Sequence, residues 1–304
     1  MIETTSASII TIASLLAHNN NHATLPLMKV AIQGEAGSFH DAATQQFFAH
    51  TPHSILPRGT FRAVFDSLAN STADMGVVAV ENSLYGSIHE TYDQLIRHNF
   101  AIHGEVQLHI HQQLIAFPDV MLEDITEVVS HPAALDQCRE FLEKTLPHAS
   151  IREHSDTAGA VADIARSGSR HEAAIASAHA ATLHDMHILA ENIEDEPDNI
   201  TRFIVISRQP AEIAHADKAS LILTTDHQPG ALYKALGVFE QNRANLTKLE
   251  SRPVRGQPFR YQFIIDVLAN QATLITIIHE LEQLGHSVTL LGHYRSAPVT
   301  LDIA

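Results

Sequence analysis

Residues 28–295 read as an α/β chain in two parts: a parallel sheet covered by helices, then a ferredoxin-like βαββαβ unit. Three observations predict this. Apolar runs such as "KVAIQG" (29–34) and the first part of "MGVVAVENS" (75–83) lack polar alternation, as strands buried on both faces do. Each ends in a polar tip and is followed by a helical stretch, which is the grammar of βαβ units. Beyond about residue 210 the order becomes strand, helix, two strands, helix, strand.

Taken in order, "MKVAIQG" (28–34) is a strand ending at Gly34, "EAGSF" (35–39) a turn, and 41–50 a helix. The run 75–83 is the next strand, with a helix over 87–98. "EVVSHP" (127–132) and "AAIASAHAA" (173–181) fit the same scheme. Ligands of open α/β sheets sit beyond the carboxyl ends of the strands. Those ends are 34–38, 81–83 and 130–131, so the polar residues fall where a cleft would open. In the second part "ASLILTTD" (219–226) is a strand, and 229–243 is a helix with Pro229 in its first turn. "NLTKLESRPV" (245–254) and "RYQFIIDVL" (260–268) are strands, 272–284 is a helix, and "SVTLLGHYR" (287–295) closes the unit. "RQPAEIAHAD" (208–217) is the linker.

A chain of 304 residues suggests two domains or three lobes, and 45% hydrophobic residues suffice for a sizeable core. With 35 acidic against 19 basic residues, nucleic-acid binding is disfavoured, because it rests on clustered Lys and Arg. One Cys rules out an intrachain disulfide framework and fits a reducing compartment, so a cytoplasmic location is expected. "SIITIASLLA" (8–17) has no Lys or Arg before it and is too short to span a bilayer, so neither a signal peptide nor a membrane anchor is expected. It and "HNNNHATLPL" (18–27) read as a flexible extension over 1–27.

Six stretches in order resemble the prephenate dehydratase family with its C-terminal ACT regulatory domain. They are "VAVENSLYGSI" (78–88), "SHPAALDQC" (130–138), "HSDTAGAVADIA" (154–165), "NITRFIVI" (199–206), "PGALYKALGVF" (229–239) and "NLTKLESRP" (245–253). The similarity runs from about Lys29 to Arg295. The first turn departs from the family's usual form: "GEAGSFH" has Glu35 and His40 where Pro and Ser are usual. The resemblance implies a two-lobed catalytic domain like type 2 periplasmic binding proteins over 28–209, an ACT domain over 216–296, and a tail over 297–304. It implies conversion of prephenate to phenylpyruvate, feedback inhibition by phenylalanine, and homodimers or dimers of dimers through both domains. No cofactor, metal, nucleic acid or membrane is implied.

Losing carboxylate and hydroxide together turns the prephenate ring into benzene, so aromatisation drives the reaction. The protein need only assist the departing hydroxyl, hold the side-chain carboxylate and leave the ring carboxylate poorly solvated. No P-loop or dinucleotide fingerprint occurs. Under the resemblance Thr201 hydrogen-bonds the leaving oxygen, and Glu81 is the proton source if burial raises its pKa. Ser38, Asn82, Ser83, Gln137, Ser155 and Thr157 are neutral donors for a dianion, and Arg202 or Phe203 fixes the pocket wall. Gly230, Ala231, Leu232, Asn245, Leu246, Glu250, Ser251, Arg252 and Pro253 form the effector site, between two ACT domains.

Each motif also has a plainer reading. Thr-Arg-Phe on a strand is ordinarily edge surface plus a core aromatic, and residues 81–83 could simply cap a helix. Ser155 and Thr157 make a helix start, and His131 with Pro132 a strand-to-helix turn. Cys138 reads as a small buried apolar residue. The 22 His residues include "HIH" (109–111) and "HAATLHDMH" (179–187), but no His-Glu-x-x-His or Cys/His framework, so surface His is the expectation. Two other functions fit the same pattern: arogenate dehydratase, and a non-catalytic amino-acid or solute sensor.

Overall fold

The computed structural model describes residues 27–297, and the expectations for the N-terminal extension and the tail fall largely outside them. The strands are β1 (Met28–Gln33), β2 (His53–Arg58), β3 (Met75–Asn82), β4 (Gly86–Ser87), β5 (Ala101–His109), β6 (Gln113–Ala116), β7 (Glu127–Ser130), β8 (Ser150–Glu153), β9 (Glu172–Ala176), β10 (His187–Ala190) and β11 (Ile200–Ser207). The helices among them are α1 (Phe39–Phe47), α2 (Phe61–Ala69), α3 (His89–His98), α4 (Pro132–Gln137), α5 (Arg139–Thr145), α6 (Thr157–Ser167) and α7 (Ala178–Leu183). The C-terminal part adds β12 (Lys218–Thr224), α8 (Ala231–Gln241), β13 (Asn245–Pro253), β14 (Tyr261–Leu268), α9 (Gln271–Gln283) and β15 (Ser287–Tyr294). That is the expected βαββαβ order.

Periodicity alone suggested one parallel sheet. The strands instead form two mixed sheets, the two-lobed plan that the resemblance implied. The first has the order β2-β1-β3-β11-β5 with β4 against β3, and the second has the order β10-β6-β9-β7-β8. β1 is parallel to β2 and β3, while β6 is antiparallel to β9 and β10. β2 escaped the sequence reading because it is an edge strand, half-buried throughout, with Pro57 inside it.

In the second sheet period-two alternation sorts the apolar side chains onto two faces. Leu114, Ala116, Val128, Ala173 and Ile175 pack with Leu135 of α4, Leu142 of α5 and Cys138 between the two helices. Ile115, Val129, Ala174 and Ala176 pack with Ala158, Val161 and Ile164 of α6 and Ala180 of α7. Both faces are covered, so the strands carry continuous apolar runs. The helices start on oxygen caps at the strand tips: Ser38 for α1, Asp156 for α6 and Ser177 for α7, each accepting a first-turn backbone N–H.

The chain packs as two compact units. One comprises Leu27–Gln94 and Val106–Phe203, and holds the site described below. The other comprises Leu95–Glu105 and the described residues from Ile204 on. The boundaries of these compact units fall inside α3, β5 and β11. In the second unit the sheet order is β13-β14-β12-β15, with Leu221, Leu223, Ile265 and Val267 packed against Phe239, Leu274 and Ile277 of its two helices. Gly230, at φ +79°, stands at the N-cap of α8, so Pro229 precedes the helix instead of lying in its first turn.

Candidate active site

A crevice of about 210 Å³ opens where strand ends and helix starts of the two sheets meet. Thr201 and Phe203 of β11, Asn82 of β3, Ser38 and His40 around the start of α1, and Gln112 form part of its wall. His131, Gln137, Ser155, Asp156 and Thr157 complete the polar lining. Among the described residues no Lys or Arg lines it, and the titratable side chains there are His40, His131 and Asp156.

Its centre is a chain of three side chains. Asn82 Oδ1 accepts the backbone N–H groups of Leu84 (2.9 Å) and Tyr85 (3.0 Å), which fixes the orientation of the amide. Its Nδ2 then donates to Asn199 Oδ1 (2.6 Å) and Thr201 Oγ1 (2.9 Å). Thr201 Oγ1 is therefore an acceptor from Asn82, and among the described residues nothing accepts its hydroxyl proton. The proton is left for whatever occupies the crevice. An N–H donated to the oxygen also polarises that O–H. Ser83 holds the two strands in register: its N–H donates to Ile200 O, its Oγ donates to Asp198 O and accepts from Ile200 N.

The loop from Gly34 to Ser38 brings Ser38 to the crevice wall. A Cβ on Gly37 would stand 2.9 Å from Ala180 Cα, and one on Gly34 2.6 Å from an Asp156 carboxylate oxygen, so glycine permits both approaches. Ser177 Oγ donates to Gly37 O (2.6 Å), and His179 Nε2 lies 3.1 Å from Asp41 Oδ2. Burial drives the His40 imidazole from its ordinary 6.5 down to about 3, so the ring is neutral. Its Nε2 accepts the Ala79 N–H at 3.2 Å.

A prephenate dehydratase family profile matches residues 30–211. The bifunctional chorismate mutase/prephenate dehydratase of Aquifex aeolicus is 37% identical over 272 residues, covering 89% of this chain and 74% of that one. Arogenate dehydratase/prephenate dehydratase 2 of Arabidopsis thaliana is 36% identical over 281 residues, covering 88% and 72%. The chain belongs to the prephenate dehydratase family. Among solved structures, the prephenate dehydratase of Arthrobacter aurescens in complex with L-Phe superposes with a TM-score of 0.78 at 29% identity, covering 88% of this chain and 90% of that one. A protein described as GqqA, a novel type of quorum quenching acylase, gives 0.78 at 30% identity, covering 89% and 98%.

For a prephenate dehydratase family member, the structure redistributes the residues picked from sequence. Thr201, Asn82, Ser38, Gln137, Ser155, Thr157 and Phe203 share the crevice. Glu81, Ser83 and Arg202 do not line it. Strand alternation is the reason: neighbours in sequence point to opposite faces, so Glu81 and Arg202 turn away together, with Arg202 Nη1 3.7 Å from Glu81 Oε2. Residues 81–83 end a strand rather than capping a helix, and the cap of α6 is Asp156, between Ser155 and Thr157. Cys138 is wholly buried as expected, and its thiol pKa is pushed up, first by burial and then by Glu194 and Asp195.

Gln112, His131, Asp156 and His40 line the crevice without having been picked. Of these, His131 and Asp156 flank quoted strand and helix ends, and His40 had its departure from the family's usual Ser as a signal. Gln112 comes from the crossover between β5 and β6, visible only once both sheets are known. In the second unit, Gly230, Ala231 and Leu232 line a cavity of about 580 Å³ with Arg260 and Phe263. Asn245, Leu246, Glu250, Ser251, Arg252 and Pro253 lie on the edge strand β13, outside that cavity. Among the described residues, no group of three or more His, Cys, Asp or Glu could hold a metal ion, and no helix is long and apolar enough to cross a membrane.

Proposed function

We propose that this chain converts prephenate to phenylpyruvate, carbon dioxide and water, a lyase reaction of phenylalanine biosynthesis. One observation carries it: a buried hydroxyl whose lone pair is occupied and whose proton is unspent, facing a crevice that also presents the neutral donors Ser38, Gln137, Ser155 and Thr157. As the bond to the ring carboxylate breaks, its electron pair enters the ring. The bond to the hydroxyl breaks with its pair on oxygen, and one proton converts that oxygen to water. Thr201 donates a hydrogen bond to this oxygen as charge develops there. It does not surrender its proton, since the alkoxide left behind would be far too basic. His131 is the lining group that can pass in the proton, since Asp156 accepts the Gly159 N–H as the cap of α6 and burial keeps His40 neutral; Glu81 is the alternative donor.

The dianion is held without cationic side chains. Ser38, Gln137, Ser155 and Thr157 donate, and the starts of α1 and α6 add the partial positive charge of unused first-turn N–H groups. A wall without ammonium or guanidinium groups leaves the ring carboxylate weakly stabilised, which favours its loss. Phe203 supplies an apolar wall. Phenylalanine binds the second unit beside Gly230, Ala231 and Leu232. The β13 motif, Asn245 to Pro253, is supplied by a second copy, which makes the working form a homodimer or a dimer of dimers. The cytoplasm is the location that a single buried cysteine suits.

Arogenate is the second reading, favoured by plant relatives bearing arogenate dehydratase names. The elimination is identical, with an amino group where prephenate has a keto group. Acyl transfer, the chemistry named for GqqA, needs an activated nucleophile, and the raised Cys138 thiol is not one. The test is to incubate the full chain with prephenate and with arogenate, then read phenylpyruvate or phenylalanine, with and without added phenylalanine. Turnover of prephenate that phenylalanine inhibits is expected. No product from either substrate would put the sensing function ahead.

A further inference from the structure

His40 stands where the family usually has Ser, and two opposed contacts fix its chemistry. The Ala79 N–H occupies Nε2, so in the neutral ring the proton must sit on Nδ1. The ring is wedged edge-on to Phe203, with centroids 5.0 Å apart at 85°, and tilted against Phe61 at 5.6 Å. A flip of the ring would give up the Ala79 N–H contact. The side chain is 8% exposed and lines the crevice, and among the described residues nothing accepts the Nδ1 proton. His40 is the second residue of α1, so the donor stands beside the unused N–H groups of that helix start.

We infer that His40 Nδ1–H donates a hydrogen bond to a carboxylate oxygen of the substrate and is a binding residue of this crevice. The inference rests on the dehydratase reading, because it takes the ligand to be a carboxylate-bearing ring. Being neutral, the imidazole adds no positive charge beside the ring carboxylate, so it can grip without opposing decarboxylation. With its pKa near 3, the contact does not vary over the neutral range.

The alternative is that His40 serves only to satisfy the Ala79 N–H, and two isosteres separate the roles. His40→Gln puts an amide oxygen near the place of Nε2, keeping the strand contact and removing the Nδ1 donor. His40→Asn puts an amide N–H near the place of Nδ1 and gives up the strand contact. In the full chain assayed with prephenate and arogenate, His40→Gln should raise KM about tenfold, the worth of one neutral hydrogen bond, with kcat and melting temperature little changed. His40→Asn should melt earlier yet keep a KM nearer to wild type. A wild-type KM in His40→Gln overturns the inference while leaving the dehydratase reading intact, and it does so whether or not His40→Asn folds. Inert wild-type protein overturns both.

Discussion

Two buried polar clusters, one in each unit, differ in where their hydroxyl protons go. In the second unit Tyr294 OH lies 2.7 Å from Ser220 Oγ, and Ser220 donates to Asp266 Oδ1 at 2.5 Å. Serine has one proton and it goes to the carboxylate, so the tyrosine is the donor to serine and both hydroxyl protons end on protein acceptors. At the crevice, Asn82 gives both amide protons to Asn199 and Thr201, and the Thr201 proton goes to no protein group among the described residues. All three side chains of the first cluster are at most 2% exposed, while Thr201 is 8% exposed at a cavity wall. Burial and hydrogen bonding alone do not separate structure from function. The unspent donor does.

The contrast breaks most visibly at Asn82. Asn82→Ala should lower kcat by about 10²-fold, since the Thr201 hydroxyl loses the donor that orients and polarises it. It should also cost roughly 1–3 kcal/mol of stability by orphaning Asn199 and the turn at Leu84 and Tyr85. Ser220→Ala should do the reverse: roughly 1–3 kcal/mol in denaturant unfolding, from the lost hydrogen bonds to Tyr294 and Asp266, with kcat per folded molecule unchanged.

A third outcome concerns pH. The folded-state pKa of His40 lies near 3 against 6.5 when unfolded, so below 6.5 the unfolded chain takes up a proton that the folded chain refuses. Stability should therefore fall as pH drops from about 6.5 toward 3, by up to about 1.4 kcal/mol per pH unit from this residue. His40→Gln should remove that part of the slope, as measured by urea unfolding across the range. The smallest effect should be at Glu81: Glu81→Gln leaves kcat within about threefold, because a carboxylate turned to the opposite face loses no transition-state contact. A loss of about a hundredfold there would restore the sequence-based role of Glu81 as the acid.

How much was legible before the structure follows the same physics. The βαββαβ unit was readable because each strand and helix has its own period and turn residues. The crevice was readable where its residues sit at strand ends, as Asn82 and Thr201 do. Glu81 and Arg202 fall outside the crevice lining because adjacency in sequence is separation in a strand, and only the pairing of β3 with β11 shows which neighbour faces inward. The antiparallel β6 and β10 were hidden, since their apolar runs look like those of the parallel strands. Gln112 came from a crossover, and His40 carried a signal, the departure from Ser, whose meaning needed the Ala79 N–H in view.

The claim at the centre is that the Thr201 proton acts on the oxygen that departs. Thr201→Val keeps the side-chain shape and removes only the hydroxyl, and phenylpyruvate, which lacks the departing oxygen, reports on the rest of the crevice. Single-turnover rates with prephenate should fall about 10²–10³-fold while the dissociation constant of phenylpyruvate stays at its wild-type value. A variant that turns prephenate over at the wild-type rate would contradict the account.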